Sequence, residues 1–439
     1  MCFTFRPPQW FDPDKIGAVV LQTFRSLSIP NYRIYAAGAV VSNVGTWMQR
    51  IGQDWLVLQL TDNSGTAVGI TTSLQFLPVL LISPLAGLLA DRYPKRRLMQ
   101  VTQVMMAVPA LILGILAVTG AAHPWHVYVI AFVFGIGAAL DAPARQSFVP
   151  ELVGPEDLTN AVGLNSVSFN TARVVGPAVA GVLIAAFGSG AEAAGWVILL
   201  NALSYIAVIY ALQSINPDLL SSPKPQVRRK GMLLEAVRYL RGRPDLLFVF
   251  VIVFFVGAFG INFQLTTALM STQEFGKSAG EFGLLTSAMA VGSFAGALAA
   301  ARRSTISGRL VMFAALAFGG ALAVGGLMPT YLTFAIWTPL IGLSAMTMIT
   351  AAQANIQLKV HPEFRGRVTA LYVMVSMGGA PVGAPIIGWI GETFGPRWTL
   401  FVGAAVALLS VAGAVAAFGW PARAESSDTG TSYPSQTVR

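Results

Sequence analysis

Charge is what this chain has least of. Asp, Glu, Lys and Arg make up only 11% of its 439 residues, against roughly 25% in an ordinary soluble domain. A water-facing surface must be covered by solvated side chains, so the shortfall excludes a soluble globular protein and a helical solenoid with polar outer faces. Cysteine is nearly absent, and the single residue, Cys2, excludes an intramolecular disulfide. Histidine is scarce too: His123, His126 and His361 lie in or beside loops without metal-ligand spacing. No Gly-rich phosphate loop followed by Lys-Ser/Thr occurs, so ATP hydrolysis by this chain is not expected. These gaps predict no metal, no cofactor and no enzymatic chemistry. The first thirty residues mix Arg6, Asp12, Asp14, Lys15 and Arg25 with prolines. That is not a cleavable signal peptide, and the first apolar segment itself must direct insertion.

What is present in abundance is apolar and small. Hydrophobic residues reach 55%, mean hydropathy is +0.66, and there are 44 glycines. Lipid is the solvent that suits such a surface, and small residues let helices pack closely within it. Crossing the hydrocarbon core takes about 20 mostly apolar residues. Segments of that size fall at 33–60, 66–90, 97–121, 125–148, 158–187 and 192–214, then at 245–271, 278–301, 309–328, 331–357, 367–391 and 397–419. We number them spans 1 to 12. Span 1 has the weakest signal, because it contains Gln49, Arg50, Gln53 and Asp54.

The formal net charge of +9 sits in short loops rather than on a soluble basic face, so nucleic acid is not an expected partner. Arg92, Lys95, Arg96 and Arg97 follow span 2, and Lys224, Arg228, Arg229 and Lys230 follow span 6. Arg302, Arg303 and Arg309 follow span 8, while Lys359, Arg365 and Arg367 follow span 10. The opposite loops hold no Lys or Arg except Lys277 and Arg397. This alternation is the positive-inside pattern, and it places both termini in the cytoplasm.

The chain also repeats itself. Gly135–Gly188 aligns without a gap onto Gly342–Gly395 at an offset of 207, matching Gly176 with Gly383, Gly181 with Gly388, and Phe187-Gly188 with Phe394-Gly395. Spans 4 and 5 thus correspond to spans 10 and 11. A shift of six spans preserves orientation, so the halves are parallel repeats about the membrane normal. The expected organisation is a cytoplasmic segment 1–32, a six-helix bundle 33–214, a linker 215–244, a second bundle 245–419 and a disordered cytoplasmic tail 420–439. Within the linker, Met232–Arg243 places Leu233, Leu234, Val237 and Leu240 on one face with Arg238 and Arg241 opposite, as in a basic interfacial helix.

The loop after span 2 reads Gly87-Leu88-Leu89-Ala90-Asp91-Arg92-Tyr93-Pro94-Lys95-Arg96-Arg97. It resembles the signature of the major facilitator superfamily between spans 2 and 3, with Tyr93-Pro94 departing from the usual small residue. The resemblance implies the fold of that family: all-α, twelve transmembrane helices, two six-helix bundles related by a pseudo-two-fold along the membrane normal. It also implies a gating role for Gly87, Asp91, Arg92 and Arg96, in which Asp91 at the cytoplasmic rim meets a basic group or helix N-terminus of the other half. Span 5 carries Gly176-Pro177-Ala178-Val179-Ala180-Gly181, which resembles the motif of the superfamily's exporters, with Ala172 and Ala180 replacing two glycines. Asp141–Gln146, Pro150–Val153, Leu158–Ala161, Leu234–Arg241 and Arg365–Val368 resemble the enterobactin-exporter and macrolide-efflux branch, over roughly residues 24–420. The branch implies a monomer in the plasma (inner) membrane, exporting a small amphipathic compound, drug-like or siderophore, with the proton as coupling ion. One departure bears on coupling: the arginine that many proton-coupled exporters carry before Gly135-Ile136-Gly137-Ala138-Ala139 is replaced by Ala131.

Charges inside spans are costly in lipid and mark candidate coupling groups. They are Arg50 and Asp54 in span 1, Asp141 and Arg145 in span 4, and Arg173 in span 5. Two readings stand: Asp54 titrates with Arg50 or Arg173 as counter-ion, or all five form static pairs. Gln53, Gln75, Asn165 and Asn170 in the first half, with Asn262, Gln264, Gln353 and Asn355 in the second, are candidates to line a substrate path. Trp55, Phe76, Phe169 and Phe263 would suit a large amphipathic cargo, with lipid-facing or packing roles as the favoured alternative. An importer on the same fold, and a non-transporting sensor or lipid-modifying enzyme, are the alternatives.

Overall fold

The computed structural model describes residues 24–220, 232–303 and 307–421. Cys2, the linker residues Lys224, Arg228, Arg229 and Lys230, and the tail from 422 onward lie outside the described residues. So do the side chains of Leu233, Leu88 and Asp91.

The described residues form helices and no strands. The first half comprises Pro30–Leu60, Gly65–Arg92, Lys95–Val118, Pro124–Leu152, Leu158–Ala186 and Ala191–Ser214 as spans 1 to 6. The linker helix runs Met232–Arg241. Spans 8, 9, 10 and 12 run Ala279–Ala301, Gly308–Gly326, Tyr331–Lys359 and Arg397–Phe418. Eleven helices among the described residues are long and apolar enough to cross a membrane. Span 1 is the twelfth: its 31 residues extend about 46 Å, but its polar residues lower its hydropathy. Gln49, Gln53 and Asp54 are buried among neighbouring helices rather than turned to lipid, which makes their presence at membrane depth tolerable.

Spans 7 and 11 depart from the single helices expected. Span 7 runs Pro244–Phe255, passes through a π turn at Val256–Gly260, breaks at Ile261 and Asn262, and resumes as Phe263–Leu269 and a second π turn, Met270–Glu274. Span 11 is Pro362–Gly378 followed by Ala380–Phe394, jointed at Gly379. Pro381 has no N–H to give the carbonyl one turn back, and the joint sits where that bond is missing.

Capping fixes several helix starts. Ser64 Oγ accepts from Ala67 N at 3.2 Å at the head of span 2, and Ser278 and Glu281 form a reciprocal box at the head of span 8. His123 and His126 box the start of span 4, with His126 Nδ1 accepting from His123 N at 3.0 Å. That explains two of the three histidines as structural.

Span 1 packs on spans 5 and 6, span 2 on span 4, and span 3 on spans 4 and 6; in the second half span 8 packs on span 10, and span 9 on spans 10 and 12. The halves meet chiefly along two seams, span 2 against span 11 and span 5 against span 8, with span 7 making smaller contacts to spans 1 and 2. Moving each partner by six spans turns one seam into the other, as parallel repeats require. Ile206, Tyr210, Ile336 and Leu409 stay exposed on the outside of the bundle, where lipid chains cover them. The linker helix docks on span 11: Ala236 and Leu240 are buried, Tyr239 stacks on Phe364 at 4.7 Å, and Glu235 pairs with Arg367. Leu234 remains exposed.

Candidate functional site

The two seams close one end of the molecule. We call this the far end, opposite the end that carries the basic loops. On the span 2–span 11 seam a methyl group on Gly69 would lie 2.5 Å from the Ala384 carbonyl oxygen, and Ser73 Oγ donates to Pro381 O at 2.5 Å. Deeper, a methyl on Gly378 would lie 2.7 Å from Leu80 Cδ1. On the span 5–span 8 seam a methyl on Gly181 would lie 2.6 Å from Ala279 O, and Ser287 Oγ donates to Val174 O at 2.7 Å. The glycines are needed because backbone meets backbone, with no room for a side chain.

Glu392, at the far end of span 11, reaches across to the other half. One oxygen accepts from Ser64 Oγ at 2.8 Å and from Thr66 N at 3.0 Å, so the carboxylate caps the N-terminus of span 2. Gln273 Nε2 donates to Asn63 O at 2.5 Å beside it. Trp55 stacks on Phe282 across the same boundary and donates to Ser189 O at 2.8 Å. A cavity of about 350 Å³, lined by Trp55, Gln59, Asn63, Thr272 and Lys277 among others, lies at this end. Toward the basic end, beyond Leu80 and Val174, no hydrogen bond or ion pair joins the two bundles among the described residues.

Where the seal ends, five side chains from three helices meet. Arg50 Cζ lies 4.9 Å from the Trp47 ring centroid and 5.6 Å from that of Phe76, and Arg173 Cζ lies 5.6 Å from the same Trp47 ring. Phe169 packs edge-on against Trp47 at 5.9 Å. Gly176 permits the approach of spans 5 and 1: a methyl there would lie 2.5 Å from Trp47 Cβ. Among the described residues neither guanidinium has a carboxylate oxygen within 4.0 Å, and Arg50 Nε is buried without a hydrogen bond. Asp54, one turn along span 1, is 3% exposed and forms no hydrogen bond or ion pair among the described residues. Gln53 beside it is fully buried with both amide atoms unsatisfied.

Asp141 and Arg145 behave differently. Arg145 Nη2 and Nε donate to Asp141 Oδ2 at 2.6 and 3.0 Å, while Thr102 Oγ1 and Gln103 Nε2 both donate to Asp141 Oδ1 at 2.8 Å. Arg145 Nη1 reaches Asn43 Oδ1 at 2.6 Å. The network ties spans 1, 3 and 4 together with every carboxylate oxygen engaged.

The remaining expected residues are spread out. Gln75 is buried in span 2; Asn170 Nδ2 donates to Ser166 O at 2.9 Å; Asn165 is half-buried. Asn262, at the break of span 7, donates to Ala258 O at 2.8 Å, and Gln264 just past it leaves its Nε2 unsatisfied. Gln353 is exposed and Asn355 fully buried. In the gating loop Gly87 is buried and Arg92 exposed, while Arg96 caps span 6 through Leu212 O at 2.6 Å and Gln213 O at 2.7 Å. Arg397, one of the two exceptions to the charge alternation, is held at the far end by Glu274 at 2.7 Å and Gly326 O at 2.8 Å. Sequence reasoning missed Trp47, Asn43, Thr102, Gln103 and Glu392. Only Trp47 carried a signal, being three residues before Arg50 and hence on its face.

Comparison with known proteins places this geometry. The sequence model of a family described as transmembrane secretion effectors matches residues 21–439. The staphyloferrin A transporter of Staphylococcus aureus is 26% identical over 355 residues, 80% of this chain and 87% of that protein. Macrolide efflux protein A of Streptococcus pyogenes is 23% identical over 398 residues, 89% and 96% of the two chains. The enterobactin exporter of Citrobacter koseri is 25% identical over 350 residues, 77% and 80%. Among solved structures, a bacterial homologue of the lysosomal transporter Spinster in an inward-facing, unoccupied conformation superposes with a TM-score of 0.69 at 16% identity, covering 89% of this chain and 98% of that one. A bacterial homologue of the iron transporter ferroportin in an inward-facing state gives 0.67 at 14% identity, covering 88% and 98%.

Proposed function

We propose that this chain, which belongs to the transmembrane secretion effectors of the major facilitator superfamily, exports a small amphipathic compound by alternating access, coupled to protons. It is a multi-pass membrane transporter and not an enzyme. The observation that carries the mechanism is the pair of repeat-related seams sealed at one end only. Loops rich in Lys and Arg stay in the cytoplasm, so the basic end is the inner one and both termini are cytoplasmic. The seal is then extracellular, and the halves part toward the cytoplasm, ready to take cargo from within. The opposite state requires the basic ends to meet, with Asp91 and its loop at the contact. The path lies between the two halves of a single chain, so a monomer suffices.

Relatives that export macrolides and enterobactin favour efflux over import, and the Gly176-Pro177 motif at the seam agrees. For coupling, Asp54 is the better candidate than Asp141. Four donors hold the Asp141 carboxylate, whereas that of Asp54 is buried with none. Protonating Asp54 would change the field at Arg50 and bias the two access states.

The test is retention of a labelled macrolide and a labelled siderophore in cells lacking the gene, with and without an uncoupler. Export predicts higher retention after deletion, abolished as a difference by the uncoupler; lower uptake after deletion would overturn it. Asp54→Asn should remove the dependence on the pH gradient, and a variant with unchanged gradient dependence sinks the coupling assignment.

A further inference from the structure

We propose that Arg50, Arg173 and Trp47 form an anion seat, and that the cargo is a compound with an acidic group on a flat apolar body. This deepens the transport reading and rests on it for the word cargo. Three observations carry the proposal. The first is the charge balance: two guanidiniums lie 4.9 and 5.6 Å from one indole ring centroid, and Asp54 is the only acidic residue within one helical turn of either arginine. Neither arginine has a carboxylate within 4.0 Å among the described residues. Arginines at membrane depth are normally paired, and the indole quadrupole eases their partial desolvation without neutralising them. An anion supplied by the ligand would complete the site, bridging both forks in bidentate fashion.

The second observation is depth. Counting the helical rise from the far end puts Arg50, Phe76 and Arg173 about 15, 17 and 20 Å down their respective helices. Arg173 is next to Val174, whose carbonyl holds the last hydrogen bond of the span 5–span 8 seam. The cluster thus occupies the apex of the cleft that opens toward the basic end. Trp47, Arg50, Phe76 and Arg173 are all partly exposed there rather than sealed in a core.

The third is the lining. Trp47, Phe76 and exposed Phe169 surround the guanidiniums with aromatic faces, which suits a planar apolar body bearing the anionic group. Intramembrane charge of this kind has no counterpart in the second half. Spans 1 and 7 both begin on proline and run 31 residues, and aligned on that proline Arg50 corresponds to Gln264. A cargo of this class also leaves along the membrane potential, because a negative charge moves outward from a negative interior.

The experiment uses the full chain in nanodiscs of phosphatidylcholine, which removes anionic headgroups as competitors. Tritiated 1-naphthalenesulfonate is the probe, competed by unlabelled sulfonate or by neutral 1-naphthalenesulfonamide. The sulfonate should compete at least about tenfold better, and Arg50→Gln and Arg173→Gln should each weaken it by about tenfold. Arg173→Lys, which keeps the charge, should retain the preference and guards against loss through misfolding. Equal competition by the sulfonamide, or sulfonate binding unaffected in both Gln variants, overturns the proposal. Phosphatidylglycerol added to the nanodiscs should leave the sulfonate affinity unchanged; competitive loss would assign the seat to a lipid headgroup and overturn the cargo assignment. Selective sulfonate binding by a protein whose deletion alters no cellular retention upholds the seat and refutes export alone.

Discussion

Gly69 and Gly181 offer a direct way to move the access equilibrium, because each stands where one half's backbone touches the other's. Ordinary contact with a Cβ begins near 3.4 Å, whereas a methyl on Gly69 or Gly181 would come to 2.5 or 2.6 Å from a carbonyl oxygen. Carbonyl oxygens on rigid helices cannot rotate away, so each seam must widen locally by about 1 Å. Overpacking of this kind costs about 1–3 kcal/mol. The cost falls only on the state with the far end closed, since the seams part in the other. At 1.4 kcal/mol per tenfold change, Gly181→Ala shifts the equilibrium toward the far-end-open state by about fivefold to a hundredfold. The seams are distant and share no side chains, so Gly69→Ala should multiply the effect. The assay is labelling by a membrane-impermeant maleimide added to intact cells. Thr266→Cys, buried in span 7 at 6% exposure, serves as reporter in a Cys2→Ser background, where no other thiol exists. Gly320→Ala, with nothing within 4 Å of the added methyl, is the control and should label as the parent does. Labelling of both seam variants at the parental rate would refute the argument that backbone contact holds this end shut.

Two further perturbations follow from individual contacts. Glu392→Gln removes the charge that caps span 2 while keeping an acceptor; for so exposed a group the loss is about 0.5–1 kcal/mol, or severalfold in the same labelling assay. Ser64→Ala should add little on top of it, because both act on one contact. Asp141→Asn leaves Arg145 without its counter-ion in a buried network, so it should lower thermal stability in detergent by about 3–5 kcal/mol equivalent, with Asp141→Asn/Arg145→Gln recovering part of the loss; an unshifted melting curve would contradict the structural role given to the pair.

Much of the architecture could be read from the residues because lipid imposes simple rules: span length, the sign of loop charge and the 207-residue repeat converge on six plus six. Side-chain pairing was harder. Arg50–Asp54 and Asp141–Arg145 have the same four-residue spacing, yet only the second forms an ion pair, with N–O at 2.6 Å. In the second pair the acid precedes the base, the orientation helix geometry favours. In the first the order is reversed, and Trp47 on the same face draws the guanidinium away. The seams were legible only as glycine-rich motifs, since which helix each glycine meets depends on the assembled bundle. Glu392 had no local signal at all: its partners lie more than three hundred residues earlier. The interruption of span 7 was hidden for another reason. Asn262 and Gln264 mark the place in the sequence, but isolated polar residues occur in unbroken spans too, and π turns leave no mark in a hydrophobic pattern.

The unequal construction of spans 1 and 7 has a consequence for how cargo is handled. Span 1 is an unbroken rod with two of its buried polar groups held by neighbours: Gln49 accepts from Asn201, and Asn43 from Arg145. Span 7, its repeat-related counterpart, has a joint at Ile261 and Asn262 flanked by two loosened turns, and carries no charge at that depth. The joint of span 7 lies away from its ion pairs, Asp245 with Arg243 and Glu274 with Arg397, whereas bending span 1 would strain its hydrogen bonds to Asn201 and Arg145. Under the proposed alternating access, the first bundle would be the anvil and the second the moving jaw. A ligand seated on Arg50 and Arg173 would then keep the same floor beneath it while the opposite wall changes sides.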